Sequence, residues 1–195
     1  MLRNLVYPKV EPVLNRAAAF LAGKKITPNQ MTLAGMVLNA LAGWAYSGGL
    51  FALGALILLA GSLGDLLDGP LARHTGRVSR FGAFLDSTVD RYSDFFVFGG
   101  LAWHFANQGM WSSFLMTLGV LLGAYATSYT RARGESLVPA VSVGLFERPE
   151  RVILLFIGSL ATPLLPLILG ILLVGTHVTA LQRIFLVKRL LQEKA

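Results

Sequence analysis

Four aspartates carry the chemistry that this sequence can do. They stand as Asp65-Leu66-Leu67-Asp68-Gly69-Pro70-Leu71-Ala72-Arg73, then eight residues, Gly82, three residues, Asp86, three residues and Asp90. All five aspartates of the 195-residue chain fall between Asp65 and Asp94, in an otherwise apolar stretch. Spacings of three and four put each pair on one helical face. Two helices that each show two carboxylates to a shared cleft form a hard-oxygen site suited to Mg²⁺ or Mn²⁺. Ionised carboxylates in or near a bilayer are costly, and a cation or a reaction must be what keeps them there.

The elements that position these residues follow from where charge is missing. No Asp, Glu, Lys or Arg occurs from Ile26 to Gly64, from Phe95 to Thr130, or from Val152 to Gln182. Each gap holds two apolar helices of about 20 residues and a short turn. The chain is 54% hydrophobic, with a mean hydropathy of +0.63. The expected fold is therefore all-α and polytopic in a membrane, with six transmembrane helices at 30–48, 51–73, 81–105, 111–134, 149–162 and 164–190. Residues 27–195 form this membrane domain, and 1–26 a juxtamembrane segment. Within that segment Leu5, Val6, Val10, Val13, Leu14, Ala17, Phe20 and Leu21 recur at helical spacing. They predict an amphipathic helix lying in the interface, with Pro8 and Pro12 confined to its start. A tail packed on the bundle is the alternative. Thr27-Pro28-Asn29 reads as a cap and proline opening the first span.

All 17 basic residues lie in the N-terminal segment, the second-to-third and fourth-to-fifth connections, the C-terminus, or the span ends beside them. The positive-inside rule makes that side cytoplasmic, with both termini and the acidic motif facing it. The predicted location is the cell membrane. The early residues lack the apolar run of a cleaved signal peptide. With no cysteine, disulfides and thiolate metal sites are excluded. No nucleic-acid partner is expected.

The pattern D-x2-D-G-x2-A-R-x8-G-x3-D-x3-D resembles the signature of the CDP-alcohol phosphatidyltransferases, with every fixed position present. That resemblance implies a CDP-linked lipid donor, of the CDP-diacylglycerol or CDP-archaeol type, with release of CMP. It makes Asp65, Asp68 and Asp86 metal ligands. Asp90 becomes the catalytic base, shared with a second ion. Two divalent cations, Mg²⁺ or alternatively Mn²⁺, would offset the repulsion between the donor diphosphate and the carboxylates. Gly69, Ala72 and Gly82 leave room for cytosine and ribose to approach the backbone, or serve close helix packing. Arg73 offers a fork to a donor phosphate. Pro28-Asn29-Gln30-Met31-Thr32 matches a family element that contacts the nucleotide, so Asn29 and Thr32 join Asp65 and Asp68 on the donor side.

The acceptor is read from a second cluster. Ser128-Tyr129-Thr130-Arg131-Ala132-Arg133 precedes Glu147-Arg148-Pro149-Glu150-Arg151. This resembles the branch of the family that makes phosphatidylinositol phosphate or archaetidylinositol phosphate from inositol 1-phosphate. By that resemblance Arg131, Arg133, Arg151 and Arg183 bind the acceptor phosphate, for which guanidinium forks are suited. Glycerol 3-phosphate, as in phosphatidylglycerol phosphate synthases, is the competing phosphorylated acceptor. A homodimer is a family expectation. Asp94 has no assigned catalytic role, and His74, His104 and His177 read as structural. Outside the enzyme class, a divalent-cation transporter is the alternative, although it leaves the Arg73 and Gly82 spacing unexplained.

Overall fold

The computed structural model describes the backbone of residues 2–193 and the side chains from Glu11 onward within that range. Seven α-helices make up the described chain: α1 (Leu2–Gly23), α2 (Pro28–Ser47), α3 (Phe51–His74), α4 (Arg80–Asn107), α5 (Trp111–Glu135), α6 (Arg148–Leu160) and α7 (Leu165–Gln192). A single 3₁₀ turn, Thr162–Leu164, joins the last two. No strand occurs among the described residues, so the all-α expectation holds.

Helices α2 to α7 begin and end within a few residues of the six intervals set by the charge-free gaps. The shortest of them is α6. Its 13 residues rise only about 20 Å at 1.5 Å each, and Thr162-Pro163 turns the chain soon after. Two helical stretches, Phe51–His74 and Thr162–Gln192, are long and apolar enough by composition to cross a membrane.

Local sequence explains the helix starts that frame the site. Thr27 caps α2: its hydroxyl accepts from Gln30 N, and the Gln30 side chain accepts from Thr27 N at 2.8 Å, with Pro28 at the first turn. This reciprocal box satisfies two donors that a helix start leaves orphaned. Ser79 caps α4, accepting from Gly82 N at 2.9 Å. The cap places Gly82 and the aspartates beyond it in register from the first turn.

Helix α1 differs from expectation. It starts at Leu2, so Pro8 and Pro12 both lie past its first turn rather than at its start, each at the cost of one backbone hydrogen bond. Leu14 and Ala18 are buried, while Val13 and Phe20 are exposed. One face thus packs on the bundle, against α3 above all. Lys24 lies 5.3 Å over the Phe20 ring on the outer face. The side chains of Leu5, Val6 and Val10 lie outside the described set.

The apolar core fills the end of the bundle remote from the aspartates. Tyr46, Leu58, Leu101, Phe105, Leu169 and Leu172 are at its centre. Ser159 donates to the buried Tyr46 hydroxyl at 3.0 Å. Helices α2 and α4 meet backbone to backbone, since a Cβ on Gly43 or Gly100 would overlap the opposing main chain. That close approach brings the start of α2 beside the start of α4, where the aspartates are.

Candidate active site

The C-terminal half of α3 carries Asp65 and Asp68, and the N-terminal half of α4 carries Asp86 and Asp90. The four carboxylates are near enough to act on one another's charge. Helix α2 closes the cleft from a third side. Thr32, 3% exposed, donates its hydroxyl to Asp68 Oδ2 at 2.8 Å. A Cβ on Gly35 would overlap Asp65 Oδ1, so a glycine there makes room for the carboxylate. Asn29 Oδ1 lies 3.6 Å from where a Cβ on Gly82 would stand, which puts the start of α2 against the start of α4.

A guanidinium stands inside this cleft. Arg148, the first residue of α6, pairs with Asp90 Oδ1 and has Nη1 2.8 Å from Asp65 Oδ2. The Asp65 contact is an ion pair by distance without hydrogen-bond geometry, and both Asp65 oxygens are buried without a hydrogen-bond partner. The second Asp90 oxygen faces Arg91 at 3.3 Å. One turn further along α4, Asp94 accepts from Arg151 at 2.7 Å. The side chain that joins the two halves of the motif is thus Arg148.

The donor set fits a hard divalent cation in its chemistry. Carboxylate oxygens are the ligands such ions take, Asp65 keeps both oxygens uncommitted to hydrogen bonds, and Gly35 leaves the space it needs. Around Arg148, no three acidic, histidine or cysteine side chains among the described residues converge closely enough to share one ion.

Of the donor-side residues, Asn29, Thr32, Asp65, Asp68 and Gly82 gather at the cleft. Gly69 and Ala72 are half-buried on the following turn of α3, and Arg73 is exposed in its last turn. A Cβ on Gly69 would lie 3.6 Å from Arg73 Nη1, in ordinary contact.

The four arginines assigned to the acceptor have different settings. Arg183, 2% exposed, donates to Val143 O, Thr127 O and Glu147 Oε1 at 2.8, 2.7 and 2.7 Å. It pins the irregular segment 136–147 to α5 and α7. Arg131 pairs with Glu135 at 3.0 Å and lies 3.7 Å from Glu147. Arg131 and Arg151 are each within electrostatic reach of Arg183. Arg133 is exposed and donates to Ser136 Oγ at 3.3 Å.

Three site features escaped the sequence reading. Gly35 carried a signal, a small residue one turn after Thr32 on the same face. Arg148 and the Asp94–Arg151 pair carried none that local spacing exposes, because each joins α6 to a helix distant in sequence. His177 Nδ1 lies 2.9 Å from Leu173 O, and the His104 ring packs edge-on against Phe51, so both are structural as expected.

The sequence model for CDP-alcohol phosphatidyltransferase matches residues 25–188. An archaetidylinositol phosphate synthase of Pyrococcus horikoshii is 38% identical over 190 residues, covering 96% of this chain and 97% of that protein. The crystal structure of Mycobacterium tuberculosis phosphatidylinositol phosphate synthase with CDP-DAG bound is similar at a TM-score of 0.80 and 31% identity, covering 90% of this chain and 94% of that one. The same enzyme in complex with manganese and citrate also matches at a TM-score of 0.80 and 31% identity, with 89% and 88% covered.

Proposed function

Because the chain belongs to the CDP-alcohol phosphatidyltransferase family, we propose that it transfers a phosphatidyl-type group from a CDP-linked lipid to a hydroxyl of inositol 1-phosphate, releasing CMP. The observation that carries this reading is the complete aspartate motif, folded so that α3 and α4 show their carboxylates to one cleft closed by Thr32 and Gly35. Family membership sets aside the cation-transporter alternative. The relatives supply the acceptor: they act in inositol phosphate lipid synthesis by name.

The reaction forms one bond and breaks one. An acceptor oxygen bonds to the lipid-side phosphorus, and the bond from that phosphorus to the CMP oxygen breaks. Asp65, Asp68 and Asp86, with Asp90 shared, would hold two divalent cations, Mg²⁺ or Mn²⁺; the M. tuberculosis relative was solved in complex with manganese. Bound there, the ions supply charge neutralisation for the diphosphate and the leaving CMP. Thr32 holds Asp68 in one orientation through its 2.8 Å bond. Asn29, Gly69, Ala72, Arg73 and Gly82 line the donor side, with Arg73 as a fork for a phosphate oxygen. Asp90 takes the acceptor proton as the new bond forms. Arg131, Arg133, Arg151 and Arg183 hold the acceptor phosphate.

The same reading makes α2 to α7 six membrane spans, with the aspartates and both termini at the cytoplasmic face, and the working unit a homodimer. Large apolar side chains exposed around the bundle, Trp44, Leu56, Phe95, Leu115, Leu122 and Leu167 among them, support lipid contact. The chain has no cysteine, so single cysteines at Gln108 and Lys194 report topology directly. Labelling of both from one side would sink the six-span arrangement.

The function is tested by CMP release from a CDP-lipid with inositol 1-phosphate, glycerol 3-phosphate, free inositol or serine as acceptor. Turnover highest with inositol 1-phosphate is the expected result. Preference for glycerol 3-phosphate would move the chain to the other phosphorylated-acceptor branch.

A further inference from the structure

Neither the motif nor the family resemblance gives Arg148 a task, yet it bridges Asp65 of α3 and Asp90 of α4. These are carboxylates that a divalent ion takes in the reading proposed above, on which this inference rests. A guanidinium and a metal ion compete for the same lone pairs: the guanidinium donates N–H groups to them, and the ion binds them directly.

The two partners of the bridge are not equally committed. Asp65 keeps 9% of its side-chain exposure, and neither of its oxygens accepts a hydrogen bond. The backbone of α2 at Gly35 confines that carboxylate from the other side. Asp65 is therefore held in place, and the charge contact with Arg148 is what an ion would have to replace at that carboxylate.

Arg148 has another set of partners nearby. It opens α6 directly after the irregular segment 136–147, so its position is not fixed by a helix on both sides. With Asn39, Ser93 and Arg151 it lines a small cavity of about 10 Å³, room for about one water molecule. Asn39 Oδ1, Ser93 Oγ and Arg148 Nε are buried there without hydrogen-bond partners. A small retreat of the guanidinium toward that side offers it new acceptors, directly or through a water.

We infer that Arg148 is the resident counter-cation of the acidic cleft. It holds Asp65 and Asp90 together when no divalent ion is bound, and a bound ion displaces it from them. Ion affinity is then set by competition with this side chain as well as by the ligands themselves.

The test uses the full-length protein in detergent or nanodiscs, with no lipid substrate. Mn²⁺ binding is measured by calorimetry, and melting is recorded for the metal-free protein. Arg148→Gln should bind Mn²⁺ about tenfold tighter than wild type, the order expected when charge-assisted contacts no longer have to be broken. Its metal-free form should melt at a lower temperature. Arg148→Lys keeps the charge, but its ammonium ends one bond short of Nη1, the single nitrogen that meets both carboxylates, so it too should bind Mn²⁺ tighter than wild type. Lysine matching wild type, with glutamine alone tighter, would assign the effect to long-range charge and overturn the bridge. Unchanged or weaker binding in both variants would also overturn it. Wild type and Asp68→Asn serve as the controls for the metal reading. If wild type binds no Mn²⁺, or Asp68→Asn binds it equally well, that reading itself fails and this inference falls with it.

Discussion

Arg151 donates to Asp94 Oδ2 at 2.7 Å, and the two side chains keep only 3% and 9% of their exposure. The contact links α6 to α4 across 57 positions of sequence, one turn behind the motif. Asp94 is therefore not a spare acid on the ladder of Asp86 and Asp90. It neutralises an arginine that the apolar surroundings would otherwise not tolerate.

Removing one partner leaves the other charge buried. Arg151→Gln should destabilise the protein by about 3–5 kcal/mol, the range for breaking a buried ion pair. Asp94→Asn combined with Arg151→Gln should recover part of the loss, since no uncompensated charge then remains. Unfolding of the three variants in detergent checks this. A double variant no more stable than Arg151→Gln alone would show that Asp94 does not carry the pairing.

Gly35 is the second position where packing and chemistry meet. Gly35→Ala puts a methyl group where Asp65 Oδ1 now lies. The carboxylate must rotate away, and turnover at limiting Mg²⁺ should fall by about tenfold or more, consistent with the sensitivity of catalysis to small misplacements. Normal activity for Gly35→Ala at every Mg²⁺ concentration would mean that Asp65 has room to move without loss. The neighbouring contact gives a milder prediction. Thr32→Val removes a hydrogen bond to a carboxylate, about 1.5–3 kcal/mol for a charged partner, and should raise the Mg²⁺ concentration needed for half-maximal rate.

How much was legible in the sequence differs between these features for a physical reason. Charge-free gaps and turn residues predict α3 at 51–73 and α5 at 111–134, and the helices run Phe51–His74 and Trp111–Glu135. Those limits are local: apolar runs, caps and turns act within a few residues. The Thr27 cap and Pro28 start were legible for the same reason. Helix α1 runs past its prolines because packing of Leu14 and Ala18 offsets the two missing backbone bonds. The aspartates were legible because their spacing lies within two helices. The partners Arg148 and Arg151 depend on how α6 docks, and no short-range rule encodes that docking. Arg183 illustrates the same limit. Its burial among two carbonyls and Glu147 follows from where segment 136–147 folds back.

The metal assignment predicts a shared phenotype. Asp65→Asn, Asp68→Asn and Asp86→Asn should each abolish divalent-dependent turnover, because amide oxygens are weaker ligands for hard cations than carboxylates. Rates measured across a Mg²⁺ titration check this. A variant that keeps near-normal rate at limiting Mg²⁺ would remove that residue from the ligand set.

Asp90 should behave differently. Its carboxylate is paired with Arg148 and faces Arg91 at 3.3 Å, so an oxygen must be released before it can take a proton. Asp90→Asn should cut the rate by about 10² or more, the usual range for a lost general base, while CDP-lipid still binds. Loss of donor binding together with rate would make Asp90 a ligand first, and the base would have to be another group.

The acceptor pocket is tested most cleanly at Arg133. Arg151 and Arg183 are buried in ion pairs and hydrogen bonds, so replacing them disturbs the fold as well as any phosphate contact. Arg133 is exposed, and its side chain donates to Ser136, three residues away at the end of its own helix. Its loss should leave stability within about 0.5 kcal/mol, as for most surface substitutions. Arg133→Gln should nevertheless raise the apparent KM for inositol 1-phosphate by about tenfold to a hundredfold, the cost of one charge-assisted phosphate contact. The KM for the CDP-lipid should stay nearly unchanged. Lysine at Arg131 should be tolerated better than glutamine, since a charge is kept beside Glu147. Steady-state kinetics with each substrate varied in turn separate these outcomes. If Arg133→Gln leaves the inositol 1-phosphate KM unchanged, Arg133 is an interfacial charge of the ordinary positive-inside kind. Efficient wild-type use of free inositol or serine would extend that conclusion to the whole cluster.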